Sequence, residues 1–191
     1  MSTPPDAAAA VLDFWFGTEE QARAEWFRKD DAFDALIAGR FGTLVEQALA
    51  GGLREWDAQG ESALARILLL DQFTRNIFRA TPRAFAGDPL ALPAARALVA
   101  SGQDQGLPPL WRSFVYLPFE HAENLAAQHE AVRLFEALEA SAPQTKGMLE
   151  YAVRHRDIIA RFGRFPHRNA ILGRASTPEE ISFLREPGSG F

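Results

Sequence analysis

Three short stretches of the chain concentrate the side chains that can bind a ligand or move a proton. In the first, Asp71, Arg75 and Arg79 recur at i, i+4 and i+8 and so share one helical face, with Gln72 and Asn76 beside them. A guanidinium pair so placed can grip a carboxylate or phosphate in a planar fork, with Asp71 orienting Arg75. Leu64, Ile67, Leu68 and Leu70 precede it and mark a core, where unpaired charge is costly. An internal salt-bridge ladder that pins neighbouring helices explains the same residues.

The second stretch carries Arg112, Tyr116, Glu120 and Glu123 at i, i+4, i+8 and i+11, one face if the helix bends only mildly. Pro118 lacks an N–H and frees the carbonyl of Phe114, so a kink or split is expected there. His121 and Glu123 form a His-x-Glu string of the kind zinc deaminases combine with cysteines. The chain has no cysteine, which removes that reading along with disulfides and thiol catalysis. His121 and His129 lie eight apart, but no His-Glu-x-x-His spacing exists, so no metal and no cofactor is expected.

In the third stretch His155 is in register with Met148, Ala152, Ile159 and Phe162, the apolar face of its helix. That fits a hydrogen-bonded core histidine better than a base. Asp157 and Arg161 have the spacing of an ordinary i,i+4 pair. Pro166, His167, Arg168 and Asn169 open a further helix, whose free N–H groups favour an anion. That anion can be the protein's own: Asp71, Glu123 or the C-terminal carboxylate. Ser113 has no strand–turn–helix elbow around it, and no phosphate-cradling glycine loop is present.

The elements that must position these residues read as helices throughout, because apolar residues recur every three or four positions and Gly and Pro punctuate at helix lengths. Helices are expected over 7–16, from Thr18-Glu19-Glu20 through Trp26 and Phe27, and over 30–50, 63–78, 90–100, 110–138, 145–162 and from 166 to 173. A capping box is expected at Thr177-Pro178-Glu179-Glu180. No strand is predicted and no composition shift marks a boundary. The expectation is one all-α domain over 1–191, with 1–6 flexible and 186–191 a C-terminal tail.

With 47% hydrophobic residues, 15 of them Phe, the chain can bury a sizeable core. It has no apolar run long enough to span a membrane and no basic start before an apolar stretch, so a cytoplasmic setting is expected. The net charge of −5 hides an asymmetry. Residues 1–62 carry 12 acidic against 5 basic side chains, and residues 145–174 carry 7 basic against 2 acidic ones. The two ends can neutralise each other, or the basic end can bind an anion. Nucleic acid is an unfavoured partner, since the motifs of its binders are missing.

Three strings carry a family resemblance: LLLDQFTRNIFRATPRAFAGDPLAL over 68–92, FVYLPFEHAENLAAQ over 114–128, and HRDIIARFGRFPHRNAILGR-STPEE over 155–180 with Ala175 at the gap, followed by a PGSGF end. In these the chain resembles the bacterial domain of unknown function 924 family over nearly its full length. The family usually has Pro where Thr74 stands, Gly where Ala80 stands, Met-His-Ser-Glu at 120–123, and Glu where Ala175 stands. The resemblance implies a tetratricopeptide-repeat-like all-α array and no established activity.

If the three stretches converge, Asp71, Arg75, Asn76, Arg79, Tyr116, His121, Glu123, His167, Arg168 and Asn169 form one charged pocket. The leading expectation is a non-catalytic binding module for an anionic small molecule or a peptide. A metal-independent hydrolase or lyase would use Tyr116, His121 and Glu123 for acid–base chemistry, with Arg75 and Arg168 holding the substrate. A scaffold that binds a protein partner is the third reading, favoured by exposed aromatics among Trp15, Trp26, Trp56 and Trp111.

Overall fold

Helix α1 (Pro5–Phe16) turns Val11, Leu12, Trp15 and Phe16 inward at helical spacing. The structure, a computed structural model, describes residues 5–17, 22–26 and 28–190. The helix start expected at Thr18-Glu19-Glu20, Phe27 and Phe191 lie outside the described residues. Helix α2 (Asp31–Leu49) begins where the Asp30 carboxylate accepts from the N–H groups of Ala32 and Phe33 at 3.0 and 3.1 Å. It buries Phe33, Ile37, Phe41 and Val45, one residue per turn.

The centre of the molecule is a helix in three parts: α3 (Gly60–Leu68), a wider π-turn (Leu69–Phe73) and α4 (Thr74–Ile77). Every residue from Ala63 to Thr74 is buried, as befits a helix enclosed on all sides. Helix α2 covers the π-turn and α4, while α1, α5 (Asp88–Ala100) and α6 (Pro109–Glu120) flank α3. Helices α6, α7 (Leu125–Ser141) and α8 (Met148–Phe162) then stack in sequence, and α9 (Pro178–Phe183) closes the C-terminal side. No strand occurs among the described residues, and the helices form one all-α array. No helix among them is long and apolar enough to cross a membrane.

Pro118 sits in the last turn of α6, and the segment expected over 110–138 splits just beyond it. The chain turns through 121–124, and α7 starts with Asn124 accepting from the N–H of Ala127 at 2.9 Å. Glu123 therefore leaves the face that Arg112, Tyr116 and Glu120 share. The helix expected over 145–162 starts later, at Met148, after a 3₁₀ turn (Pro143–Thr145). The segment from Pro166 is only a 3₁₀ turn (Pro166–Arg168). The capping box forms as read: Thr177 accepts from Glu180 N–H, and Glu180 accepts from Thr177 N–H.

The core is strongly aromatic. Trp15 stacks on Trp26 with centroids 5.9 Å apart and meets Phe114 edge-on at 5.7 Å. Trp15, Trp26 and Trp56 are buried, so they offer no exposed docking face. The charge asymmetry resolves locally and not end to end. Asp34, Asp57 and Glu46 of the acidic end pair with Arg79, Arg66 and Arg83 of the middle. The basic end pairs with Asp88, Glu123 and its own Glu179 and Glu180. Arg161 goes to Glu179, and Asp157 is taken by Arg156, so the expected Asp157–Arg161 pair is not what forms.

Candidate functional site

Side chains and a close neighbour meet the carbonyls of the π-turn. The Thr74 hydroxyl donates to the Leu70 carbonyl at 2.8 Å, and Arg75 Nη1 donates to the Asp71 carbonyl at 2.8 Å. Gly87 packs directly onto the same Leu70 carbonyl: a Cβ at residue 87 would lie 1.9 Å from that oxygen, closer than any contact allows. The packing of the widened turn thus requires a glycine at 87. π-turns of this kind cluster at functional sites.

Asp71 lies inside this turn, only 1% exposed. Its carboxylate takes Arg75 Nη1 at 3.1 Å and His121 Nδ1 at 2.7 Å, and the Gln72 amide donates to its second oxygen. Burial alone would raise its pKa, but Arg75 and His121 overcome that and hold it well below the carboxylate range. Arg75 also forks onto Asp88 at 2.8 and 3.1 Å. Asp88 follows Gly87 directly, so the close approach at Gly87 is what brings the Asp88 carboxylate over Arg75.

Arg168 reaches the same Asp88 from the 3₁₀ turn, at 3.4 Å, the longest ion pair in the cluster. Its guanidinium lies between the rings of Phe85 and Phe165, 4.6 and 4.5 Å from their centroids. Its Nε is buried with no acceptor, and Nη1 is the one nitrogen with an acceptor among the described residues. Burial, and then the neighbouring Arg75 charge, lower its pKa to about 10. This cation is enclosed and only partly neutralised.

His121 follows the last residue of α6. Gln128, buried on α7, fixes that end by donating to the carbonyls of Glu120 and Ala122 at 2.6 and 2.8 Å. With Nδ1 committed to Asp71, Nε2 has no protein partner among the described residues, and the side chain is 16% exposed. Burial, helped by Arg75, lowers the imidazole pKa despite Asp71. Glu120, one residue earlier, is buried with Oε1 3.1 Å from His155 Nδ1. Burial, and then the Asp71 charge, push the Glu120 carboxyl up to about 8. His155 donates to the Tyr151 carbonyl at 2.9 Å, and burial pushes it down to about 3. The His121 and His155 rings are 6.3 Å apart.

Of the residues singled out in the sequence, Asp71, Arg75, His121 and Arg168 thus form one connected network. His167 lies beside it, its ring 5.6 Å from that of Phe165, and burial followed by the Arg168 charge lowers it to about 4. The others are bound into different networks. Asn76 and Arg79 both donate to Asp34 on α2, at 2.7 to 2.9 Å. Tyr116 donates to Asp104 at 2.7 Å, and burial with that bond raises its pKa to about 12. Glu123 accepts from the Phe165 N–H at 2.7 Å and from Arg174 at 2.6 and 2.8 Å. The anion that the start of the 3₁₀ turn attracts is therefore the protein's own Glu123. Asn169 links Ser176, Glu180 and Arg174.

The sequence reading missed Asp88 and Phe85, and left Glu120 out of the pocket. Asp88 follows a Gly and precedes a Pro, the signature of a helix start, and nothing local ties it to Arg75. Glu120 had one signal: a carboxyl next to the candidate His121. Among the described residues no group of three or more His, Asp or Glu is placed to hold a metal ion. A broad open depression of about 530 Å³ lies between α7 and α8, lined by His129, Val132, Arg133, Glu136, Arg156 and Asp157, away from this network.

The family described as a bacterial protein of unknown function, DUF924, matches residues 11–188. The solved structure of a protein of unknown function from Agrobacterium tumefaciens, ATU0120, is similar with a TM-score of 0.86 at 44% identity, over 94% of this chain and 97% of that one. No curated protein matches the chain.

Proposed function

The chain belongs to the DUF924 family of bacterial proteins of unknown function, and we propose from the geometry that it is a cytoplasmic binding module for a small carboxylate seated on Arg168. The observation that carries this reading is the guanidinium itself. It is 7% exposed, stacked between two phenylalanines, and left with an unused buried donor and one long shared contact. A buried donor without a partner costs about 1–3 kcal/mol, and an entering anion recovers that. Asp88 stays forked on Arg75 while the ligand replaces its weak contact to Arg168. Asp71 is taken up by Arg75 and His121 and Asp88 by Arg75, which leaves the Arg168 charge only partly met, enough for a monoanion and too little for a phosphate dianion. The exposed Nε2 of His121 supplies a polar contact beside it.

A thermal-shift series tests this. At 100 times its dissociation constant a bound acid adds about 2.7 kcal/mol, or roughly 5–10 °C for a chain of this size. Small carboxylic acids should stabilise the protein, and Arg168→Lys and Arg168→Ala should abolish the shift. Peptides with free and amidated C-termini separate a metabolite from a chain end as the source of the carboxylate. If no carboxylate shifts the wild type while Arg168→Ala melts far lower, Arg168 is a brace and the reading fails.

A further inference from the structure

The chain from Arg164 onward is folded more tightly on itself than on the rest of the molecule. Glu180 and Asn169, both almost fully buried, organise it. The Glu180 carboxylate accepts from Arg164 at 2.6 and 2.8 Å, from Asn169 at 3.2 Å and from the Thr177 N–H at 2.8 Å. Arg174 donates to Asn169 at 3.0 Å and to the Phe165 carbonyl at 3.1 Å, and Arg164 donates to the Ala175 carbonyl at 2.8 Å. The apolar part is separate as well. Phe165 and Phe183 pack with Ile158, Ile159 and Phe162 at the end of α8, in a cluster distinct from the main core.

The joint to the body is narrow by comparison. Neither the 3₁₀ turn at 166–168 nor α9 packs broadly on another helix. Glu123 accepts from the Phe165 N–H and from Arg174, Asp88 meets Arg168 at 3.4 Å, and Glu179 meets Arg161 at 2.9 Å. The Arg161–Glu179 pair is exposed and the Arg174–Glu123 pair partly so, and both are therefore open to screening by salt. Gly163, with φ of +70°, ends α8 immediately before this segment and supplies a hinge.

We propose that residues 164–190 are a strap that lifts from the rest of the molecule as one unit, hinged at Gly163, and carries Arg168 away from Asp88 and Phe85 into solvent. A segment with a dense interior and a thin, polar joint opens while the larger core stays folded. The body keeps its half of the network when the strap lifts, because Asp71 and Asp88 stay on Arg75 and Gln128 still fixes the end of α6. Arg168 is 7% exposed with the strap down, so its guanidinium meets a ligand through this opening. Lifting is a property of the free protein, so its test needs no ligand and stands apart from the carboxylate reading.

The test is native-state hydrogen exchange, followed by NMR on the full chain at increasing urea. The Phe165 N–H bonds across the joint to Glu123, while the Leu172 and Arg174 N–H groups bond within the strap to the carbonyls of Arg168 and Asn169. These three should share one opening free energy with a shallow urea dependence and exchange ahead of the α3 amides, which wait for global unfolding. Phe183→Ala removes a half-buried ring and should speed all three about tenfold. Arg161→Gln, at an exposed position, should speed them about two- to fivefold. Sodium chloride at about 1 M, where the screening length is about 3 Å, should act in the same direction. Ile37→Val, in the main core, should speed the α3 amides about two- to tenfold and leave the strap amides at their wild-type rates. Strap and α3 amides that share one free energy, or that speed up together in Ile37→Val, overturn the proposal. Reporters with three unrelated free energies show fraying and overturn it too. Opening indifferent to both salt and Phe183→Ala overturns the assignment of the joint.

Discussion

Two charged networks tie the C-terminal third of the chain to the rest, and they are built to different standards. Around Glu123 and Glu180 each carboxylate is fully engaged. Glu123 takes two Arg174 donors and a backbone N–H, all at 2.6–2.8 Å. Glu180 takes Arg164, Asn169 and the Thr177 N–H, and the Arg164 hydrogen bond holds it down to about 2. Around Asp71 and Asp88 the acids are engaged as well, but Arg168 is short of acceptors and His121 keeps a nitrogen facing outward. A network that serves only to brace has no use for a spare buried donor, because each one is a cost. The first network is fully paired, and the second is the one on which the proposed carboxylate would sit.

The largest effect should come from breaking the hub of the second network. Asp71→Asn leaves Arg75 and the His121 ring without their shared anion, and removal of one buried partner costs roughly 3 kcal/mol or more. Urea denaturation should show that loss, and a loss much below 1 kcal/mol would mean that Asp88 alone holds Arg75.

The pH dependence sharpens the contrast. Glu120 is raised from 4.5 to about 8, so its stabilisation is complete below 4.5, declines as the pH rises, and is gone above about 8. His155 is lowered from 6.5 to about 3, so its contribution is complete above 6.5 and is lost as the pH falls toward 3. Each limb has a slope of at most about 1.4 kcal/mol per pH unit. The two windows overlap between 4.5 and 6.5 with opposite slopes, so Glu120→Gln should flatten the alkaline limb above 6.5 and steepen the rise below it. An unchanged alkaline limb would show that Glu120 is ionised in the native state.

Breaking the first network should cost less. Glu123→Ala removes charge-assisted bonds from a partly exposed pair, for a loss of about 1.5 kcal/mol, and carboxylate affinity should be kept or rise, because Glu123 is a negative charge felt at Arg168. A drop in affinity as large as that of Arg168→Lys would erase the distinction between the networks. The smallest effect serves as a control outside both. Ala80 is exposed and holds a left-handed backbone with φ of +60°, where the family resemblance implies Gly. Ala80→Gly should stabilise by about 0.5 kcal/mol in thermal unfolding.

Much of the fold was legible because helix periods and caps are local. The Phe33-Ile37-Phe41-Val45 stripe and the Thr177–Glu180 box need no tertiary information. The Asp71–Arg75 contact was legible for the same reason, being one turn long. Arg79 looked like the third rung of that ladder and instead reaches Asp34, 45 residues away. The His121–Asp71 pair spans 50 residues. Asp88 entered the site through a glycine whose role is visible only against the Leu70 carbonyl. The π-turn had one hint, the family's usual Pro at the position of Thr74, a residue that also withholds an N–H from a helix.

The widened turn at 69–73 also governs what length changes the chain can accept. It amounts to one extra residue within a helix. The wide turn absorbs that residue locally, so deleting one residue within 69–73 would leave a regular turn with α3 and α4 still facing the same neighbours. A one-residue change outside the turn would instead rotate Arg75, Asn76 and Arg79 together, away from Asp88 and from Asp34 at once. Relatives are therefore expected to place any single-residue length difference in this helix inside the turn.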